Sequence, residues 1–219
     1  RFRPLEHLDR AAAVEPAGPQ NGDVIPGRYI VQLDGSALPA SFAAGDETTV
    51  RAAVASLATV AVFQHDLVFA KALQGFAMTA SAEEAERLAL DPRVRSIEPD
   101  RVVMLGHDVE SEGKPAPSQP AQGTPWGIAR VGGAGDGTGK TAWVIDSGID
   151  NTHPDLVVDA GRSRTFLGGT STPWDQNGHG THVAGTIGAK NDGIGVVGVA
   201  AGATLVSVRV LDRRGSGTY

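Results

Sequence analysis

The chain has 219 residues, a formal net charge of −6 and 41% hydrophobic content. That is enough apolar material for a core and excludes wholesale disorder, while the acidic balance argues against a dedicated nucleic-acid binder. There is no cysteine, which excludes thiolate zinc sites, disulfide frameworks and cysteine nucleophiles. No apolar run reaches the roughly 18 residues that a membrane span requires, so no membrane association is expected. The 29 glycines fall unevenly, 7 before residue 111 and 22 after it, which predicts two regions of different architecture. The chain starts at Arg1 with no signal-peptide apolar stretch and ends at Tyr219, and a fragment or processed product is expected.

Residues 1–26 are rich in Pro, Gly and Ala without sustained period and read as a loose leader. Arg28–Asp34 then reads as a strand ended by the turn pair Asp34-Gly35. Val50, Val54, Leu57 and Ala61 recur at helical spacing. Leu67–Lys71 and Phe76–Thr79 read as a hairpin around Gly75. Ser81-Ala-Glu-Glu84 has capping-box spacing and predicts a helix start, with an end near Asp91-Pro92. Val94–Leu105 is a last strand, interrupted by Pro99. Residues 27–107 thus carry the order βαββαβ, the ferredoxin-like split motif of a small α+β domain with two helices on one sheet face. On its own such a domain implies no chemistry.

Residues 108–124 hold prolines among polar residues and read as an exposed processing linker. From residue 125 onward, short apolar runs alternate with glycine-rich turns: Ala142–Ile145, Val183–Ile187, Val196–Ala201 and Leu205–Leu211. Runs without strict alternation suit strands buried on both faces of a parallel sheet, an α/β arrangement.

Two motifs stand out in this second region. Thr141-Ala-Trp-Val-Ile-Asp-Ser-Gly148 puts Asp146 at the carboxyl end of an apolar strand, the edge where α/β sheets collect catalytic groups. A turn-capping aspartate is the alternative. Asn177-Gly-His-Gly-Thr-His-Val-Ala-Gly185 sets His179 between glycines at a helix start, where an imidazole can exchange protons near neutral pH. His182 lies one turn on, so a metal-dependent hydrolase using both histidines is a rival. The zincin pattern needs a glutamate between them, and none follows Glu112.

The segment Val144-Ile-Asp-Ser-Gly-Ile-Asp-Asn-Thr-His-Pro-Asp-Leu156, followed by residues 177–185, resembles the subtilisin-like serine proteases. Pro125-Trp-Gly-Ile-Ala-Arg130 is similar to the mature amino end of the subtilisin and proteinase K branches, and residues 27–107 resemble that family's inhibitor-type propeptide. The resemblance implies an α+β propeptide followed by the front part (125–219) of an α/β subtilisin-like domain. It also implies a secreted serine endopeptidase precursor acting on polypeptides, expected to be monomeric. Asp146 matches the triad aspartate and His179 the general base, while His182 matches a structural position. The family's serine and oxyanion-hole asparagine come later in the order. Gly169-Thr-Ser-Thr-Pro173 looks like the serine motif, but Ser171 precedes His179 and is read as a decoy. The 219 residues alone are therefore expected to be inactive. A non-catalytic member using the same fold as a binding module is the remaining alternative.

Further implications of the resemblance concern the cleft and a cation. Leu211, Gly215, Ser216, Gly217 and Tyr219 match its substrate-binding wall, with Gly215–Gly217 as an edge segment that pairs with substrate backbone. The propeptide is implied to be inhibitor and folding template, with its tail near Val102–His107 lying in that cleft. Self-cleavage falls at Leu105–His107 by this geometry, or near Pro120–Ala121 by similarity of mature amino ends. The side chains of Gln122, Asp155 and Asp192, with the carbonyls of Lys190, Ile194 and Val196, match a structural calcium site of hard oxygen ligands. An ion-free Asp-Gly turn is the alternative, and the Lys190 ammonium is expected to point to solvent.

Overall fold

The computed structural model describes residues 18–43, 45–105, 121–169 and 171–219. The amino-terminal region runs β1 (Val24–Leu33), α1 (Glu47–Leu57), β2 (Gln64–Phe69), β3 (Gly75–Thr79), α2 (Ala82–Ala89) and β4 (Val94–Met104). Its strands pair antiparallel in the order β4-β1-β3-β2. Val31, Leu33, Phe76 and Met78 from the sheet share one buried cluster with Val50, Val54 and Leu57 of α1 and Leu88 of α2. Both helices therefore cover the same face, and helical spacing in α1 is what turns its three apolar residues toward that face.

Local chemistry explains the element ends. The Asp46 carboxylate accepts the Thr49 N–H at 3.2 Å and starts α1. Ser81 accepts the Glu84 N–H at 3.2 Å and starts α2. The capping box is only half made, because the Glu84 carboxylate turns away to accept the Val62 N–H at 2.8 Å. Pro99 lies inside β4 rather than ending it; it sits opposite Tyr29, beside a register shift, where a missing donor is tolerated.

The leader and the linker differ from expectation at their inner ends. β1 begins at Val24, three residues before the predicted boundary at Gly27, because Gly22 and Asp23 already bond Val102. The predicted linker end is likewise held: Gln122 N–H bonds Gly193 O at 3.0 Å and Gly123 N–H bonds Gly195 O at 2.8 Å. Residues 1–17 and 106–120, with both cleavage positions apart from Leu105 and Ala121, lie outside the described residues.

The second region contains α3 (Trp126–Arg130), β5 (Gly135–Asp136), β6 (Thr141–Asp146), β7 (Val157–Val158), β8 (Arg164–Thr165), α4 (His179–Gly188), β9 (Ala200–Ala201), β10 (Thr204–Arg209) and β11 (Ser216–Thr218). β6, β7 and β8 all pair parallel to β10, and β5 pairs parallel to β9. Two apolar runs are not the strands predicted. Val183–Ile187 lies within α4, whose Gly180, Ala184 and Gly188 recur every four residues on the buried side. Val196–Ala201 is mostly loop, with only Ala200 and Ala201 in a short pairing. Nor is β6 buried on both faces. Val144 points into the core with Ile149, Leu156, Ala184 and Leu205, while Trp143 and Ile145 are exposed on the other side. Among the described residues, no helix is long and apolar enough to cross a membrane.

One sheet crosses from the first region to the second. β11 pairs antiparallel with β4, setting Ser216, Gly217 and Thr218 opposite Met104, Val103 and Val102. The full order is β11-β4-β1-β3-β2.

Candidate active site

β6 delivers Asp146 to its carboxyl end, and the first residue of α4 is His179. The His179 Nδ1 lies 2.9 Å from both Asp146 carboxylate oxygens. Asp146 is buried, and its Oδ1 also accepts the Ser147 N–H at 2.6 Å. When Nδ1 carries the proton and donates it to the carboxylate, the neutral imidazole keeps its lone pair on Nε2. The His179 side chain is 32% exposed, so the ring is oriented from one side and accessible to a reactant.

Two glycines permit this approach of helix to strand. A Cβ on Gly180 would sit 2.1 Å from the Gly148 carbonyl oxygen. Gly148 has φ +114°, and a Cβ there would sit 2.6 Å from the Asp175 nitrogen.

The first turn of α4 has no capping side chain at Gly178, yet each of its donors is satisfied. The Gly178 N–H donates to Asp175 Oδ1 at 3.0 Å, and the His179 N–H to Asn177 Oδ1 at 3.2 Å. The Gly180 N–H donates to Ser147 Oγ at 3.0 Å, and the Thr181 N–H to Asp175 Oδ2 at 2.9 Å. These are the orphan N–H groups that every helix start must place. Burial raises the Asp175 carboxyl, but bonds from the Gly178 N–H, the Thr181 hydroxyl and further N–H groups outweigh it and hold the group below the usual carboxylate range. Asp175 lies outside both motifs that mark Asp146 and His179 in the sequence. Its signal is an Asx turn, an aspartate followed by Asn177-Gly178 that bonds the backbone two and three residues on.

Arg209 also lies outside those motifs. It is buried with no carboxylate partner among the described residues, and its guanidinium donates to the carbonyls of Leu211, Thr172 and Trp174 and to Gln176 Oε1. It holds the 172–176 loop against the end of β10. Ser171 stands apart from His179 in this network, its hydroxyl donating to the carbonyls of Leu167 and Gly168. His182 lines a cavity of about 940 Å³ with His153, Trp126, Val197 and Val199, and His179 is not among its lining residues. The two histidines therefore do not share this cavity.

The residues matched to a substrate-binding wall form a continuous edge. The Val210 and Leu211 N–H groups donate to the Asp146 carbonyl, which ties this wall to the His179 partner. Leu211 is buried, and Gly215–Gly217 leads into β11 along β4. The Leu105 N–H donates to Gly215 O at 3.0 Å, extending the pairing by one residue. Asp100, 1% exposed, anchors the far end: it accepts Arg28 Nε at 3.1 Å, the Arg101 N–H at 2.8 Å and the Tyr219 N–H at 3.1 Å. The Tyr219 side chain itself is exposed.

Residues matched to a cation site also come together. Gln122 Nε2 donates to Lys190 O at 2.7 Å and Val196 O at 3.2 Å, and its Oε1 accepts the Gly193 N–H. Asp155 is buried and accepts the Lys190 N–H at 3.1 Å, while Asp192 accepts the Ile194 N–H. Burial, and then the negative charge of Asp192, push the Asp155 carboxyl above the usual range. The Lys190 ammonium donates to Pro154 O at 2.5 Å in a solvent-exposed bond. Among the described residues, no group of three or more His, Cys, Asp or Glu side chains is placed to hold a metal, so any cation here would rely on amide and carbonyl oxygens besides the two carboxylates.

Family comparisons agree with the division of the chain. Residues 28–106 match the peptidase inhibitor I9 family and residues 137–219 match the subtilase family. Subtilisin E of Bacillus subtilis is 38% identical over 156 residues, covering 68% of this chain and 37% of that protein. An alkaline protease of Alkalihalobacillus alcalophilus is 42% identical over 144 residues, covering 63% of this chain and 33% of that protein. A cuticle-degrading protease of Metarhizium anisopliae is 31% identical over 212 residues, covering 92% of this chain and 47% of that protein. The chain thus spans a third to a half of the length of these relatives. It belongs to the subtilases: an I9 propeptide domain followed by part of a subtilase domain with its parallel sheet.

Proposed function

We propose that this chain is the front part of a secreted serine endopeptidase precursor, in which Asp146 and His179 are two members of an Asp-His-Ser triad. Asp146 orients the imidazole and stabilises its protonated form, and His179 takes the proton of a serine supplied by sequence beyond Tyr219. The observation that carries this reading is the 2.9 Å contact of Nδ1 with both Asp146 oxygens at the end of a parallel strand. The substrate is polypeptide, held by Gly215–Gly217 with Leu211 and Tyr219 lining the adjacent pockets. In a protein extended to the full length of its relatives, Asp146→Ala and His179→Ala each lower kcat/KM on a peptide substrate by about 10³-fold or more. Retained turnover in either variant overturns the assignment. The 219 residues alone do not turn over peptide; turnover abolished by Ser171→Ala would overturn the decoy reading.

The I9 domain, read from its β4-β1-β3-β2 order as a ferredoxin-like split motif, acts on the same cleft. β4 occupies β11 as a product-like strand and excludes substrate. Residues 27–107 form this inhibitor and 125–219 the peptidase region, with processing between them. The same packed domain serves as a folding template, since a parallel sheet of non-local contacts folds slowly unaided.

The donor set around Gln122 would fit a structural calcium ion with the Gln122 amide turned over, so that its oxygen, here on the Gly193 N–H, joins the Lys190 and Val196 carbonyls. Two carboxylates, one of them buried and destabilised by the other, with neighbouring carbonyl and amide oxygens, are hard ligands of the kind calcium takes. Gln122, Asp155 and Asp192, with the carbonyls of Lys190, Ile194 and Val196, would hold it. The bound ion supplies charge compensation and ties residue 122 to the 190–196 loop, with no part in bond cleavage. Calorimetry with and without calcium tests this: Asp155→Ala with Asp192→Ala removes the thermal gain, and an unchanged gain refutes the site.

A further inference from the structure

The proposed triad pair faces a geometric difficulty. His179 is the first residue of α4, and the helix is preceded by Gly178 at φ +105° with no capping side chain. Nothing in the helix itself fixes the direction in which its first residue points. The partner Asp146 belongs to a different element, and the segment joining them in sequence, residues 147–178, includes β7 and β8. The pair therefore needs a third element that sees both.

Asp175 has contacts on both sides. Toward the strand end, its Oδ1 accepts the Ser147 hydroxyl at 2.9 Å. Its own N–H bonds Ile149 O at 3.3 Å. Toward the helix, Oδ1 accepts the N–H groups of Asn177 and Gly178, and Oδ2 accepts the N–H and hydroxyl of Thr181 at 2.9 and 2.6 Å. Ser147 is adjacent to Asp146, and Thr181 is two residues from His179. The Ser147 hydroxyl spends its proton on Asp175, so its lone pair is free for the Gly180 N–H at 3.0 Å. The Thr181 hydroxyl likewise donates to Asp175 and accepts the Asp150 N–H at 2.9 Å. Both hydroxyls are polarised in one sense by the same carboxylate.

We propose that Asp175 is the positioning residue of the site: by accepting five hydrogen bonds from the end of β6 and the start of α4, it sets the rotation and depth of the helix at which His179 Nδ1 meets Asp146. This rests on the reading of Asp146 and His179 as a working pair. An acceptor-only group is required. Asparagine has the same shape but would turn an NH₂ toward either the Thr181 donors or the three donors on Oδ1. The low carboxyl affinity for protons at Asp175 agrees with this, since a protonated acid would meet the same conflict.

The test uses the 219-residue chain and the imidazole Nδ1 proton resonance of His179, identified by its loss in His179→Asn. A ring proton held by a carboxylate is slow to exchange and is seen downfield in the proton NMR spectrum. Asp175→Asn is expected to abolish that resonance while the amide spectrum of β1–β4 and β10 stays that of the folded chain. The control Asp159→Asn, whose side chain bonds Arg162 and the backbone N–H groups of residues 161 and 162, keeps it. If Asp175→Asn does not fold, Ser147→Ala decides, with the same loss expected. A resonance that persists unchanged in the folded Asp175→Asn protein, or in Ser147→Ala where that variant decides, overturns the positioning role and leaves the pair intact. No such resonance in the unsubstituted chain overturns the pair itself, and the proposal with it.

Discussion

Gly180→Ala sets two effects of opposite sign against each other, and the structure decides between them. In an ordinary helix, alanine is favoured over glycine by about 1 kcal/mol. At position 180 the new Cβ would lie 2.1 Å from the Gly148 carbonyl oxygen and 3.1 Å from the Gly148 carbon and nitrogen, where ordinary contact starts near 3.4 Å. The start of α4 must retreat by more than an ångström. Overpacking against a backbone atom this close falls at the upper end of the usual range, about 2–3 kcal/mol, and Gly148 cannot yield without pressing on Asp175. The balance is a net destabilisation of about 1–2 kcal/mol, or a fall of roughly 2–8 °C in melting temperature for a chain of this size. The same helix contains its own control. Gly185 has nothing within 4 Å of its would-be Cβ, so Gly185→Ala keeps the propensity gain and raises the melting temperature by about 2–4 °C. Differential scanning calorimetry on the two variants reads the difference directly. Since His179 precedes position 180, Gly180→Ala also weakens the Nδ1–Asp146 contact. If both variants shift the melting temperature in the same direction, the close approach of α4 to Gly148 is refuted.

Three other outcomes follow from the same structure. Asp155 has its carboxyl raised in the folded state, so the folded chain holds more protons there than the unfolded chain, and its contribution falls as pH rises from about 4. Asp155→Asn therefore raises the melting temperature of the calcium-free chain at pH 7, loses that advantage below about pH 4, and responds less to calcium; a lower melting temperature at pH 7 contradicts this. Asp100→Ala removes the acceptor of the Tyr219 N–H, a charge-assisted bond of about 1.5–3 kcal/mol. Hydrogen exchange at Tyr219 and Leu105 should quicken about tenfold or more, and unchanged exchange would show that Asp100 does not hold β11 to β4. Arg209→Met leaves three carbonyls, one buried and two part-buried, without their donor and lowers stability by about 2–3 kcal/mol, and a thermal unfolding curve matching that of the unsubstituted chain would refute this account of the 172–176 loop.

What could be read from the sequence was what short periods and local motifs encode. Val50, Val54 and Leu57 announced α1 and its buried face, and Ser81 announced the start of α2, because these signals lie within one or two turns. The strand Thr141–Asp146 and the helix beginning at His179 were legible from motifs whose spacing carries their geometry. Val183–Ile187 was ambiguous because a five-residue apolar run suits a buried strand and a buried helix equally. Only Gly180, Ala184 and Gly188, taken together, reveal the four-residue repeat. Asp175 escaped notice because its importance comes from Ser147, 28 residues away, and no local pattern records that partner. The same holds for Arg209, whose acceptors lie on a loop some 35 residues earlier. The pairing of β4 with β11 joins positions more than a hundred residues apart and came from family resemblance, not from any pattern in the residues themselves.

The most direct measurement of the central claim is the intact mass of the protein extended to the full length of its relatives, expressed with Asp146 and His179 unchanged or with His179→Ala. The account predicts two masses for the unchanged protein, an I9 domain cut from the peptidase after β4, and a single uncut precursor for His179→Ala. Normal processing in His179→Ala, in the purified protein and without an added protease, would contradict the role of the pair and the proposal that β4 lies in a working cleft.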